Sequence, residues 1–152
     1  LNPEFKGIDH QIDTYFNVPN GRLKLREGNI ENALIQYDRE NIAGAKAAQI
    51  ILYKHTPNEA LKSILIKQFG IKTIVEKCRK IYFIDNVKFH FDNVSQIGEF
   101  IEVEAIDENN LKSLETLKAQ CDLYATYFGL KPEDFIDISY SEMLISIQRL
   151  SK

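Results

Sequence analysis

In three short stretches the chain alternates charge with hydrocarbon at a period of two, and the charge is sorted by sign. Arg22, Lys24 and Arg26 alternate with Leu23 and Leu25. Lys77 and Arg79 repeat the spacing, and Glu102 and Glu104 alternate with Ile101 and Val103. Residues two apart share one face of a β-strand. The pattern therefore asks for strands, two with a cationic face and one with an anionic face. Arg39, Lys88, His90 and Asp92 continue the theme on strands of the same kind. One reading is that these faces meet water while the other faces pack on a core. Against it stands the uniform sign of Arg22, Lys24 and Arg26, because like charges two apart on a strand repel.

The rest of the chain reads as strands first and helices later. Residues 9–16, 22–27, 33–39 and 46–54 have strand character, with Pro19-Asn20-Gly21 as a tight turn. Thr56 is expected to cap a helix that runs to Phe69 and closes at Gly70. Strands over 73–84 and 87–94 would be joined by an Asp85-Asn86 turn, and 99–106 makes one more strand. Asn110 is expected to cap a helix through Phe128, with Leu111, Leu114, Leu117, Cys121 and Tyr124 on one side. A short helix covers 139–150. Strands followed by helices give an α+β fold in one domain, 1–152. Hairpin-length connections favour a meander that closes as an antiparallel β-barrel with a polar, charged interior and helices packed outside.

Composition narrows the partners. A net charge of −3 provides no global basic field, which argues against nucleic acid. No apolar run reaches the length that crosses a bilayer, so no membrane partner is expected. The N-terminus has no basic stretch followed by an apolar one, and Cys78 and Cys121 fit no metal or redox spacing. Free thiols in a reducing cytoplasm follow from that.

If the charged faces point inward, the chemistry is constrained. Phosphates favour Arg and Lys, and Arg can give two parallel hydrogen bonds. Carboxylates two apart on a strand suit hard cations that take oxygen ligands. A metal-bound polyphosphate needs both sets together.

The same residues resemble the motifs of the CYTH superfamily, whose members include CyaB-type class IV adenylyl cyclases, thiamine triphosphatases and other triphosphate tunnel metalloenzymes. Gln11-Ile12-Asp13-Thr14-Tyr15-Phe16 and Arg22-Leu23-Lys24-Leu25-Arg26 resemble Q-x-D-T-Y-F and R-L-x-L-R. Lys77-Cys78-Arg79-Lys80-Ile81-Tyr82 resembles K-x-R-x-x-Y. His90-Phe91-Asp92-Asn93-Val94, Gly98-Glu99-Phe100 and Glu102-Val103-Glu104 resemble H-x-D-x-V…G-x-F-x-E-x-E. Ser139-Tyr140 and Leu144 resemble the closing S-Y-x-x-L-L helix.

The resemblance implies an eight-stranded tunnel that binds triphosphate with Mg²⁺ or Mn²⁺. Carried over by position, Arg22, Lys24, Arg26, Arg39, Lys77 and Arg79 would hold phosphate oxygens. Of these, Lys24, Arg26, Lys77 and Arg79 would be catalytic. Asp92, Glu102 and Glu104 would bind the metal, and His90 would either join the lining or serve as a satisfied structural residue. Asp13 and Tyr15 are expected to fix the first strand in place, and Tyr140 to pack. The implied activity is ATP to cyclic AMP and pyrophosphate. Hydrolysis of thiamine triphosphate or inorganic triphosphate is the alternative, and a non-catalytic polyphosphate- or nucleotide-binding module is the alternative of another class. The family opens with an E-x-E-x-K strand and a helix ahead of Q-x-D-T-Y-F, a segment that Glu4 and Lys6 do not supply. The domain is therefore expected to be N-terminally incomplete and catalytically weak or inactive as given. An exposed edge would invite a homodimer.

Overall fold

The alternating stretches are strands, and their registers put all the sorted charge on one face. The computed structural model describes residues 1–38 and 47–152. Seven strands form one antiparallel sheet: β1 (Glu4–Phe16), β2 (Arg22–Glu27), β3 (Ala33–Tyr37), β4 (Ile50–Lys54), β5 (Ile71–Ile84), β6 (Val87–Val94) and β7 (Gly98–Ala105). Their order is β4-β3-β2-β1-β5-β6-β7. Three helices, α1 (Glu59–Phe69), α2 (Leu114–Tyr127) and α3 (Tyr140–Leu150), complete the α+β fold. None of the helices is long and apolar enough to cross a membrane.

Register fixes the faces. Asp13 pairs with Arg26 and Val75, and Gln11 with Lys77. Arg79 pairs with Asp92, and His90 with Glu102. Directly paired residues point to the same side of a sheet. Asp9, Gln11, Asp13, Arg26, Lys77, Arg79, His90 and Asp92 therefore share an inner face, and all eight are buried. The sheet curls about this face: Glu31, in the turn between β2 and β3, reaches Lys88 on β6.

The apolar positions between the charges form the outer face. Leu23, Leu25 and Leu34 pack with Phe16 beneath Leu61, Leu65 and Ile66 of α1. Val87, Phe89 and Val103 pack beneath Tyr124 of α2, with Phe128 just beyond its end. The third helix behaves differently. Leu144 and Tyr140 of α3 pack on Tyr15, Val75, Val94 and Phe100, which lie on the inner face. So α3 covers one end of the curl.

Several expectations need correction. The sheet is not closed into a barrel; β4 and β7 are its two edges. Closure is made by side chains and α3 instead. The first strand is longer than the one expected over 9–16: Glu4–His10 is already the first half of β1, paired with Cys78–Phe83 of β5. α1 is capped by Asn58, whose side chain accepts the Ala60 N–H at 2.8 Å, rather than by Thr56. Pro57 keeps Thr56 extended and moves the start downstream. α2 is capped by Ser113, not Asn110. Asp107 instead takes the N–H groups of Leu111 and Lys112 at 3.1 and 2.9 Å, and Asn110 turns with a φ of 54°. Leu111 and Leu114 consequently lie exposed, and Leu117, Cys121, Tyr124 and Phe128 form the packed side. Gly70, at φ 70°, closes α1 as expected, donating to the Ile66 carbonyl at 2.8 Å.

Candidate functional site

Two ion clusters occupy the inner face, and β1 and β5 carry their centres. Asp13 of β1 is wholly buried and anchors the first. Arg26 grips it with two bonds, Nε to Oδ1 at 2.9 Å and Nη2 to Oδ2 at 2.8 Å. Lys77 Nζ reaches Oδ2 at 2.9 Å and Lys24 Nζ at 3.1 Å. Three cations from the two strands that flank β1 thus share one carboxylate. Lys24 also lies over the Tyr15 and Tyr37 rings, 5.4 and 5.6 Å from their centroids. The Tyr15 and Tyr37 hydroxyls approach to 3.5 Å.

Titration follows from this crowding. Burial alone would raise the Asp13 carboxyl, but Lys24, Lys77 and Arg26 hold it well below the usual range. Arg26 is correspondingly raised, since Asp13 outweighs the burial that lowers it. Lys77 goes the other way. Burial pushes its ammonium down to about 7, and Asp13 cannot offset this against Arg79, Arg26 and Lys24. Burial and the Asp13 charge push the Tyr15 phenol up to about 12.

The second cluster centres on Arg79 of β5. Its Nε and Nη2 hold Asp92 Oδ1 and Oδ2 at 2.7 and 2.6 Å, and Nη2 also reaches Glu102 Oε2 at 3.0 Å. His90 Nδ1 lies 3.1 Å from that same Glu102 oxygen. Glu102 remains ionised: burial would raise it, and the His90 hydrogen bond and Arg79 hold it well below the usual range. Burial and Arg79 lower His90, so its imidazole is neutral, and Nδ1–H donates to Glu102. His90 Nε2 is then an acceptor, buried and without a partner among the described residues. Gln11 Oε1 is in the same state. Tyr140 Oη donates to Asp92 Oδ2 at 3.0 Å, and its ring packs tilted against Phe100, centroids 4.9 Å apart.

The sequence-derived candidates divide as follows. Lys24, Arg26 and Lys77 meet at Asp13, and Arg79, Asp92, Glu102 and His90 meet at the second cluster. Arg22 lies at the α3 end, where Nη2 holds Glu142 Oε1 at 2.6 Å. Glu104 shares the face of Glu102 and pairs across β6 with Lys88. Arg39 lies outside the described residues. Asp13 does more than fix a strand, and Tyr140 does more than pack. Sequence reasoning missed Asp9, Gln11 and Glu31 as parts of the face. The same period-two rule, run backward from Asp13, would have found Gln11 and Asp9. Nothing comparable marks Glu31, which sits in a turn.

The donor chemistry fits a divalent cation only in part. Glu102 and Glu104 offer oxygens of the kind hard cations take. Both Asp92 oxygens are already in the Arg79 fork. Among the described residues no three His, Cys, Asp or Glu side chains stand together as a preformed site.

Comparison with known proteins gives the fold a family. The PH1012 protein of Pyrococcus horikoshii OT3 superposes with a TM-score of 0.75 at 26% identity, over 92% of this chain and 85% of its own. A protein described as a candidate adenylate cyclase from Vibrio parahaemolyticus gives 0.75 at 21% identity, over 95% and 85%. The S. pombe Pct1 RNA triphosphatase, solved with the Spt5 CTD, gives 0.51 at 13% identity, over 91% and 59%. The latter two likenesses show the fold alone. None of the curated proteins is significantly similar to the chain. The family model for the CYTH domain matches residues 1–134, spanning both ion clusters and all seven strands, and the chain therefore belongs to the CYTH family.

Proposed function

We propose that the inner face binds a triphosphate and that the protein is a metal-dependent triphosphate-processing enzyme, with ATP cyclisation to cyclic AMP and pyrophosphate as the leading reaction. One observation carries the reading: three cations, the buried Arg26 and Lys77 and the partly buried Lys24, converge on the single carboxylate of Asp13. Adding an anion there relieves mutual repulsion, and phosphate oxygens are the acceptors that Arg and Lys bind best. The CYTH family takes in adenylyl cyclases and triphosphatases, and the fold likeness to the Vibrio parahaemolyticus protein and to the RNA triphosphatase agrees with such chemistry.

Each residue then has a task. Lys24, Arg26 and Lys77 would orient the phosphates and neutralise charge on the leaving group, with Arg22 extending the cationic face; Arg39 is a phosphate ligand by family resemblance alone. Arg79 would bridge the phosphates and the acidic cluster. Glu102 and Glu104 are the residues that would hold Mg²⁺ or Mn²⁺, which when bound would neutralise phosphate charge and polarise phosphorus, and Asp92 would join them only through oxygens it now shares with Arg79. Fixed donors aimed at developing charge supply most of the acceleration in such reactions. In the cyclase reading the ribose 3′-hydroxyl attacks the α-phosphate; in the hydrolase reading water attacks the terminal phosphate of thiamine triphosphate or inorganic triphosphate.

A second reading, polyphosphate binding without turnover, draws on the lack of a preformed cation site among the described residues. One experiment separates them. ATP, thiamine triphosphate and inorganic triphosphate are each incubated with Mg²⁺ or Mn²⁺ and the products resolved by chromatography. Cyclic AMP with pyrophosphate supports the cyclase, and orthophosphate release supports the hydrolase. Binding of all three with turnover of none leaves the binding module.

A further inference from the structure

Three donors from three different strands converge on one carboxylate outside the Asp13 cluster. Glu31 Oε2 accepts from Arg26 Nη1 of β2 at 3.0 Å and from Gln11 Nε2 of β1 at 3.1 Å. Glu31 Oε1 accepts from the Lys88 ammonium of β6. A convergence of an Arg, a Lys and an amide on two oxygens is an anion site. Here it is filled from within the chain.

The turn that carries Glu31 is built to put it there. Asp9, wholly buried on β1, accepts the N–H groups of Ile30 and Glu31 at 2.9 Å each. Asn32 closes the turn on Gly28, accepting its N–H at 2.9 Å and donating to its carbonyl at 3.0 Å. No larger residue fits at 28, because a Cβ would lie 2.6 Å from Asp9 Oδ1. The backbone is therefore held, while the Glu31 side chain, at 24% exposed, has a side open to solvent. Asp13, with no exposure, has no such side.

We infer that Glu31 occupies the seat of one phosphate group, and that Lys88, absent from the sequence-derived set of phosphate ligands, is a further phosphate-binding residue that Glu31 holds until the ligand displaces it. The inference rests on the proposed function. Burial would raise the Glu31 carboxyl, but Lys88 and Arg26 hold it down at about 2. Glu31 thus competes as an anion at every working pH and leaves by exchange for a more highly charged anion, not by protonation.

The test is calorimetric titration of inorganic triphosphate, in EDTA, into the wild type, Glu31→Gln, Lys88→Met and the double variant, each checked for folding by thermal melting. Glu31→Gln keeps the shape and removes the competing charge, and is expected to bind about ten-fold more tightly, the scale of one charge-assisted hydrogen bond. Lys88→Met is expected to bind about ten-fold more weakly on the same scale, and the gain from Glu31→Gln shrinks in its background. Binding by Glu31→Gln where the wild type shows none also supports the inference. Wild-type binding that Glu31→Gln leaves unchanged or weakens overturns the inference and spares the proposed function. Should Glu31→Gln not fold, unchanged affinity in Lys88→Met overturns it alone. No binding by any of the proteins in EDTA overturns the inference, and the proposed function falls with it only when the wild type also binds no triphosphate with Mg²⁺ or Mn²⁺ present.

Discussion

The two halves of the inner face use the same kinds of residue in opposite proportion. Around Asp13, Lys24, Arg26 and Lys77 share one carboxylate; around Arg79, Asp92 and Glu102 share one guanidinium. The first half is cation-rich, and the second is acid-rich with a neutral His90 beside it. A polyanion and the metal that accompanies it need such halves side by side. Neither half is balanced within itself, so each resists burial unless the other, or a ligand, completes it. The outer face shows no such sorting, and there Leu23, Leu25 and Phe89 pack under helices as any half-buried sheet would.

The contrast can be broken by removing the central acids. Asp13→Ala strands Lys77 and Lys24 and leaves Arg26 with Glu31 alone, and is expected to cost about 3–5 kcal/mol of stability, whereas Asp92→Ala strands no cation, since Arg79 keeps Glu102, and should cost less, about 1–3 kcal/mol. Urea denaturation at neutral pH measures both. Equal losses would mean that the halves are not differently balanced.

The pH dependence sharpens the same contrast. Lys77 titrates near 7 in the folded protein and near 10.5 when unfolded, so between those values the unfolded chain binds more protons. Stability should rise with pH across that window, and Lys77→Met should remove the rise. A urea midpoint that stays flat from pH 7 to pH 10 would count against the crowding at Asp13. The acid limb has the opposite origin. Asp13, Glu31 and Glu102 have depressed folded values, so the stability they contribute is full above about pH 4.5 and drains away as the pH falls below it. Glu31→Gln should flatten part of that fall, measured by the urea midpoint between pH 5 and pH 2.5.

The smallest effect belongs to the α3 end. Tyr140→Phe removes the hydroxyl that bonds Asp92 and should cost about 1 kcal/mol, since Arg79 still satisfies both Asp92 oxygens. A loss several-fold larger would mean that Tyr140, not Arg79, positions the acid.

Much of this face was legible because strand geometry converts a period of two directly into a shared side. Arg22, Lys24 and Arg26, then Lys77 and Arg79, His90 and Asp92, and Glu102 and Glu104 could each be grouped on one side of their own strand without knowing which strands are neighbours; register makes those sides one face. Which charge meets which depends on register between strands far apart in sequence. That is why Asp13 seemed a strand anchor, although Lys77 lies 64 residues away. Closure was misjudged for a similar reason. Hairpin lengths say that strands are neighbours, not whether the last meets the first, and here the curl is held by Glu31 on Lys88 and by α3. The helix starts were misplaced where two capping residues competed, as with Asn110 and Ser113, and the local bonds of Asp107 decided.

The most direct test of the account is titration calorimetry of inorganic triphosphate against the wild type and the double variant Lys24→Ala with Arg26→Ala. The account predicts binding by the wild type and a loss of about 100-fold or more in the folded double variant, since two charge-assisted contacts disappear. Affinity unchanged by the double substitution would contradict it, because the cationic half of the inner face would then not be where the phosphates go.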